Sequence, residues 1–92
     1  MSHSVDALLV TNPGCHYCDD ARDLLDELSR TMPLSIRTVA MVSDEGMSLI
    51  VRYKVPFPPI LMIDGQFFGY GRISRRKLEA HLAHATTRRQ VV

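Results

Sequence analysis

The sequence has no tryptophan, only two cysteines and almost no excess of charge. The last two scarcities each close a class of function. Two cysteines cannot staple a small secreted fold in the usual multi-bridge manner. Eleven Lys and Arg against ten Asp and Glu leave +1, so no bulk basicity argues for nucleic acid. No stretch approaches the ~20 apolar residues of a membrane span. The opening Met-Ser-His-Ser-Val-Asp, followed by Ala7 to Val10, lacks the basic start and long apolar run of a secretory signal. These absences lead to the expectation of a cytoplasmic protein with neither nucleic-acid nor membrane partners. In that compartment a close cysteine pair is catalytic or metal-binding more often than structural.

What is present is ordinary for a globular chain: 92 residues, 46% hydrophobic and 23% charged. That length implies one domain over residues 1–92 with one modest core. The apolar pattern reads strand, helix, strand, helix, hairpin, helix. Val5 to Thr11 is a nearly continuous apolar run, as in a strand buried on both faces. Pro13-Gly14 breaks it, and Ala21, Leu24, Leu25 and Leu28 then form one helical stripe. Pro33 should stop that helix by about Met32. Leu34 to Val39 alternates as a half-buried strand.

Ser43 suits the N-cap of a second helix running to about Tyr53, with Met47, Ile50 and Val51 turned inward and Gly46 weakening it. Pro56, Pro58 and Pro59 end that segment. Ile60 to Ile63 and Gln66 to Tyr70 flank Asp64-Gly65, a strong hairpin signal. Ser74 can cap a last helix in which Leu78 and Leu82 share a face. Residues 86–92 have no periodic apolar face and are expected to fray. This βαβαββα order implies an α/β fold: a four-stranded mixed sheet, helices on both faces, and the first strand inside.

Cys15-His16-Tyr17-Cys18 falls where the first strand hands over to the first helix. Unpaired N–H groups at a helix start, together with the positive end of its dipole, stabilise a thiolate. Cys15, first of the pair, is expected to be the exposed attacking sulfur. Cys18, one turn inside the helix, is expected to be the buried resolving one. His16, when protonated, would add positive charge beside Cys15; an exposed loop histidine with little effect is the plain alternative. Asp19, Asp20 and Asp23 complement the helix dipole and oppose its effect on the thiol. Two inert buried thiols remain a structural alternative. A closed zinc site needs four ligands, and only His3, His81 and His84 stand beside the pair, so no resident metal is expected. Two-coordinate Cu(I) or a metal shared between two chains stays open, as does a non-catalytic module that uses the pair to hold Cu(I) or to sense oxidation.

The chain resembles the thioredoxin superfamily, and glutaredoxins in particular, from Val5 to about Ala85. The resemblance rests on Pro13-Gly14-Cys15-His16-Tyr17-Cys18, on Arg52-Tyr53-Lys54-Val55, on Pro59 to Gln66, and on Gly69 four positions after Gly65. It implies a thioredoxin/glutaredoxin-like fold and a thiol–disulfide oxidoreductase that needs no bound cofactor. It also implies that Pro59 is a cis proline facing the cysteines, and that Tyr17 matches the family's aromatic between them. Pro58, Gly69 and Tyr70 fall in the substrate-binding segments so implied. Three positions depart from glutathione-binding members. Asn12 stands where a basic residue is common, and Pro58 has no N–H where one is donated to glutathione. Arg72 and Ile73 stand where acidic residues often meet the γ-glutamyl amine.

The external thiol reductant is therefore expected to be either glutathione or a thioredoxin-reductase-type donor. Disulfide-bearing proteins or small molecules are the expected substrates, and the chain itself is expected to be monomeric. Finally, Arg72, Arg75, Arg76, Lys77, Arg88 and Arg89 stand against Glu79 alone. This basic segment reads either as a solvated helix face with a loose tail or as a surface that steers an acidic partner.

Overall fold

The computed structural model describes residues 4–90, with side chains described through His84. Seven elements follow in chain order: β1 (Val5–Thr11), α1 (His16–Leu28), β2 (Leu34–Ala40), α2 (Asp44–Tyr53), β3 (Ile60–Ile63), β4 (Gln66–Tyr70) and α3 (Arg75–Gln90). The strands form one mixed sheet in the order β2-β1-β3-β4. β1 pairs parallel with β2 and antiparallel with β3, and β3 pairs antiparallel with β4. β1 is thus interior, as its nearly continuous apolar run implies, and so is β3, which is buried at all four positions.

Strand alternation divides the core. Val5, Ala7 and Leu9 of β1, with Leu61 and Ile63 of β3, face α1 and α3, where Ala21, Leu25, Leu28, Leu78 and Leu82 complete a buried cluster. Val10, Ile60 and Met62 point the other way, joined by Val55, with Leu49, Ile50 and Tyr53 of α2 packed against them. Asp64 and Gly65 both take positive φ, and this allows the tight β3–β4 turn. The Asp64 carboxylate accepts the Asp6 N–H, which ties that turn to β1.

Helix boundaries differ from the sequence expectation in instructive ways. α1 ends at Leu28, one turn inside the limit that Pro33 sets at about Met32: Ser29 caps it, and Arg30, Thr31 and Met32 bond back to Glu27 and Leu28 in a turn. The proline forbids helix just before it but does not require helix that far. In α2, Met47 and Val51 are exposed, and the packed stripe is Gly46, Leu49, Ile50 and Tyr53. The phase is set by Gly46, where any Cβ would collide with the Ala40 carbonyl oxygen and lie 2.9 Å from that of Met41. The glycine lets the helix start sit against the end of β2, so its packing role outweighs its poor helix propensity. The Ser43 cap forms as expected, its Oγ accepting the Gly46 N–H at 3.0 Å. Ser74 likewise accepts the Lys77 N–H at 3.2 Å. α3 continues past Thr86 to Gln90, and the last two residues of the expected tail lie outside the described residues.

Candidate active site

Pro13-Gly14 turns the chain from β1 into α1, with Gly14 at φ +73. Cys15 follows as the N-cap, in extended geometry, and its sulfur accepts the Cys18 N–H at 3.1 Å. A sulfur at this position takes the place of the usual serine or aspartate cap oxygen. The N–H bond and the start of the helix favour negative charge on it. Cys18 begins the buried stripe that continues through Ala21, Leu25 and Leu28, and it is only 1% exposed. Cys15 is half-buried. The two form a disulfide with Cα atoms 5.1 Å apart.

The Pro58–Pro59 peptide is cis. Pro59 is fully buried, and the Pro58 carbonyl oxygen lies 3.8 Å from Cys15 Sγ. In the disulfide that sulfur has no hydrogen to donate; in a dithiol the same distance places an S–H within reach of the carbonyl. The Pro59 carbonyl is already taken by the Gly71 N–H at 2.8 Å. This leaves Pro58 as the proline whose backbone oxygen faces the sulfur, and it offers no N–H in return.

His16 and Tyr17 are the first two residues of α1 and both are exposed. Tyr70 is exposed at the end of β4, and its ring meets Phe57 edge-on with centroids 5.5 Å apart. Gly69 pairs with Leu61 inside the β3–β4 ladder. Sequence reasoning missed Phe57. Its ring is 48% exposed beside Pro58 and lies over Gly71, where a Cβ would come within 2.8 Å of it. The available signal was an aromatic set between Pro56 and Pro58, which the reading of those prolines as the end of the second helical segment passed over.

The other histidines do not join the cysteines. His81 packs edge-on against Phe68, and His84 is exposed on α3; His3 lies outside the described residues. Among the described residues, no group of three or more His, Cys, Asp or Glu converges to hold a metal ion. Among them too, no helix is long and apolar enough to cross a membrane. The basic segment is partly engaged: Arg75 pairs with Glu27 of α1 and, at 3.2 Å, with Glu79.

Residues 7–68 match the family model described as Glutaredoxin, a span that takes in the cysteine pair, the cis proline and the Asp64-Gly65 turn. The chain belongs to the glutaredoxin family. Solved structures agree on the fold. A thioredoxin-like protein from Clostridium perfringens superposes with a TM-score of 0.68 at 15% identity, covering 88% of this chain and 70% of that one. A mutant thioredoxin from Halobacterium salinarum gives 0.63 at 18% identity, covering 86% and 72%. Glutaredoxin 1 from Francisella tularensis, complexed with cacodylate, gives 0.56 at 19% identity, covering 91% and 99%. No curated protein matches the sequence. As a glutaredoxin-family chain with a Cys-x-x-Cys disulfide, the protein has the framework of a thiol–disulfide oxidoreductase.

Proposed function

We propose that this glutaredoxin is a dithiol oxidoreductase that reduces disulfides through Cys15 and Cys18, with Cys15 the attacking sulfur. The observation that carries the reading is the difference in access: Cys15 is half-buried at a helix N-cap, and Cys18 is 1% exposed one turn inside. The Cys15 thiolate attacks one sulfur of a substrate disulfide. That bond breaks, the leaving sulfur departs as a thiolate and takes a proton from water, and a mixed disulfide remains on Cys15. Cys18, deprotonated in turn, attacks the Cys15 sulfur. The lone pair of Cys18 forms the Cys15–Cys18 bond, the second substrate sulfur leaves as a thiolate and takes a proton from water, and the two electrons lost by the pair now reside on the two substrate thiols. The N–H that now meets the Cys15 sulfur would favour the thiolate in the first step.

In this reading Pro58, Pro59, Tyr17 and Tyr70 border the bound substrate, and Gly69 shapes the strand behind them. His16 is the residue placed to add charge beside Cys15. Recycling falls to an external thiol system, either glutathione or a thioredoxin-reductase-type donor, in the cytoplasm. The chain acts as a monomer with no bound cofactor. Coupled turnover of a model disulfide, once with glutathione plus glutathione reductase and once with thioredoxin reductase, tests the proposal. One couple should sustain turnover that Cys15→Ser abolishes. Absence of turnover with both, or turnover that survives Cys15→Ser, contradicts it.

A further inference from the structure

A cavity of about 260 Å³ lies along β4, the outer strand of the sheet, and Gly69, Tyr70, Arg72, Ser74 and Lys77 are among its lining residues. Two of the lining side chains are cations and none is an acid. The neighbouring Arg75 is different, since Glu27 and Glu79 already neutralise it. Named contacts link the cavity to the disulfide. Tyr70 lines it and meets Phe57 edge-on, and Phe57 precedes Pro58, whose carbonyl oxygen is 3.8 Å from Cys15 Sγ. The Phe57 and Tyr70 rings are 48% and 42% exposed, so the path from sulfur to cations crosses an apolar step.

We infer that this surface selects disulfides on protein segments with an apolar residue beside the reactive cysteine and an acidic residue further along. The apolar side chain packs on Phe57 and Tyr70, and the carboxylate meets Arg72 and Lys77. The inference rests on the oxidoreductase reading of Cys15 and Cys18. Charge decides between an acidic protein segment and the γ-glutamyl end of glutathione. An Asp or Glu side chain brings a carboxylate alone, whereas the γ-glutamyl end brings an ammonium beside its carboxylate. The cavity has cations to repel that ammonium and no acid to meet it. The cations act mainly by steering and orienting the segment, so their effect falls as salt rises.

The test follows a single turnover by the pre-reduced protein, which removes the recycling system from the measurement. The substrates are two peptide disulfides, alike but for Glu or Lys downstream of an apolar residue that flanks the cysteine. A glutathione mixed disulfide and the uncharged bis(2-hydroxyethyl) disulfide accompany them. The Glu peptide should react roughly tenfold faster than the Lys peptide at low salt, with the ratio falling towards one at about 0.5 M salt. Combined Arg72→Glu and Lys77→Glu, both at exposed positions, should invert the ratio. A ratio near one in the unsubstituted protein, or one that the double reversal leaves unchanged, overturns the inference. So does faster reduction of the glutathione mixed disulfide than of the Glu peptide. If even the uncharged disulfide is not reduced, the oxidoreductase reading itself fails, which keeps the two failures apart.

Discussion

On one face of the sheet, α1 and α3 seal Val5, Ala7, Leu9, Leu61 and Ile63 under fully buried Leu25, Leu78 and Leu82. On the other face α2 works alone. Leu49, Ile50 and Tyr53 are half-buried there, and a cavity of about 550 Å³ stays open between Leu8, Leu49, Tyr53 and Met62. The two halves of the candidate site are divided between these faces. Cys18 belongs to the buried stripe of α1, so the dense face fixes the sulfur expected to resolve. The segment carrying Pro58 and Pro59 runs from Val55 to Ile60, both members of the lighter cluster. Burial density thus separates a firmly held Cys18 from a more lightly supported Pro58–Pro59 segment.

The sharpest way to break that contrast is truncation within each face. Leu25→Ala should cost about 2–5 kcal/mol, because its cavity is enclosed by α1, α3 and the sheet. Urea unfolding of the reduced protein measures it. Gly46→Ala comes next, at about 1–3 kcal/mol, since the new Cβ must push α2 away from Ala40 and Met41. Helix propensity alone predicts the opposite sign, so a stabilised variant would refute the close-approach account. Leu49→Ala, at a half-buried position, should cost only about 1 kcal/mol. A loss equal to that of Leu25→Ala would erase the distinction between the faces.

The smallest effect belongs to the bridge that spans the lighter face, Arg37 on β2 with Glu45 on α2. Two hydrogen bonds, 2.9 and 2.8 Å, hold the Glu45 carboxyl below the usual carboxylate range. Such a pair stabilises the fold fully above about pH 4.3, where the unfolded carboxyl is also ionised. Its contribution is lost as pH falls through the lower folded value. Both groups are exposed, so the contribution is slight and weakens with salt. Thermal melting should show a small Arg37→Ala deficit that is constant above about pH 5 and shrinks in acid. A deficit that grows as pH falls would contradict this.

How far the sequence reached follows from the same packing. Element order, the interior place of β1 and the Asp64-Gly65 turn were legible, because alternation, apolar runs and turn chemistry are local signals. The α2 phase was not. Met47, Leu49, Ile50, Val51 and Tyr53 place apolar side chains around more than half of that helix, so periodicity alone selects no face. Contact of Gly46 with the end of β2 selects it, and that contact is tertiary. The cysteines were legible because strand and helix signals bracket them. Phe57 was not, because its partners Tyr70 and Gly71 lie more than ten residues away and reach it only through the β3–β4 pairing.

Trapping experiments read out the division of labour between the two sulfurs. Cys18→Ser and Cys15→Ser proteins, each reduced and then exposed to one equivalent of a model disulfide, can be resolved by intact mass and peptide mapping. One mixed disulfide per chain should form rapidly on Cys15 in the Cys18→Ser protein, with little reaction at the buried Cys18 of the Cys15→Ser protein over the same time. Equal or faster adduct formation at Cys18 would refute separate roles for the two sulfurs.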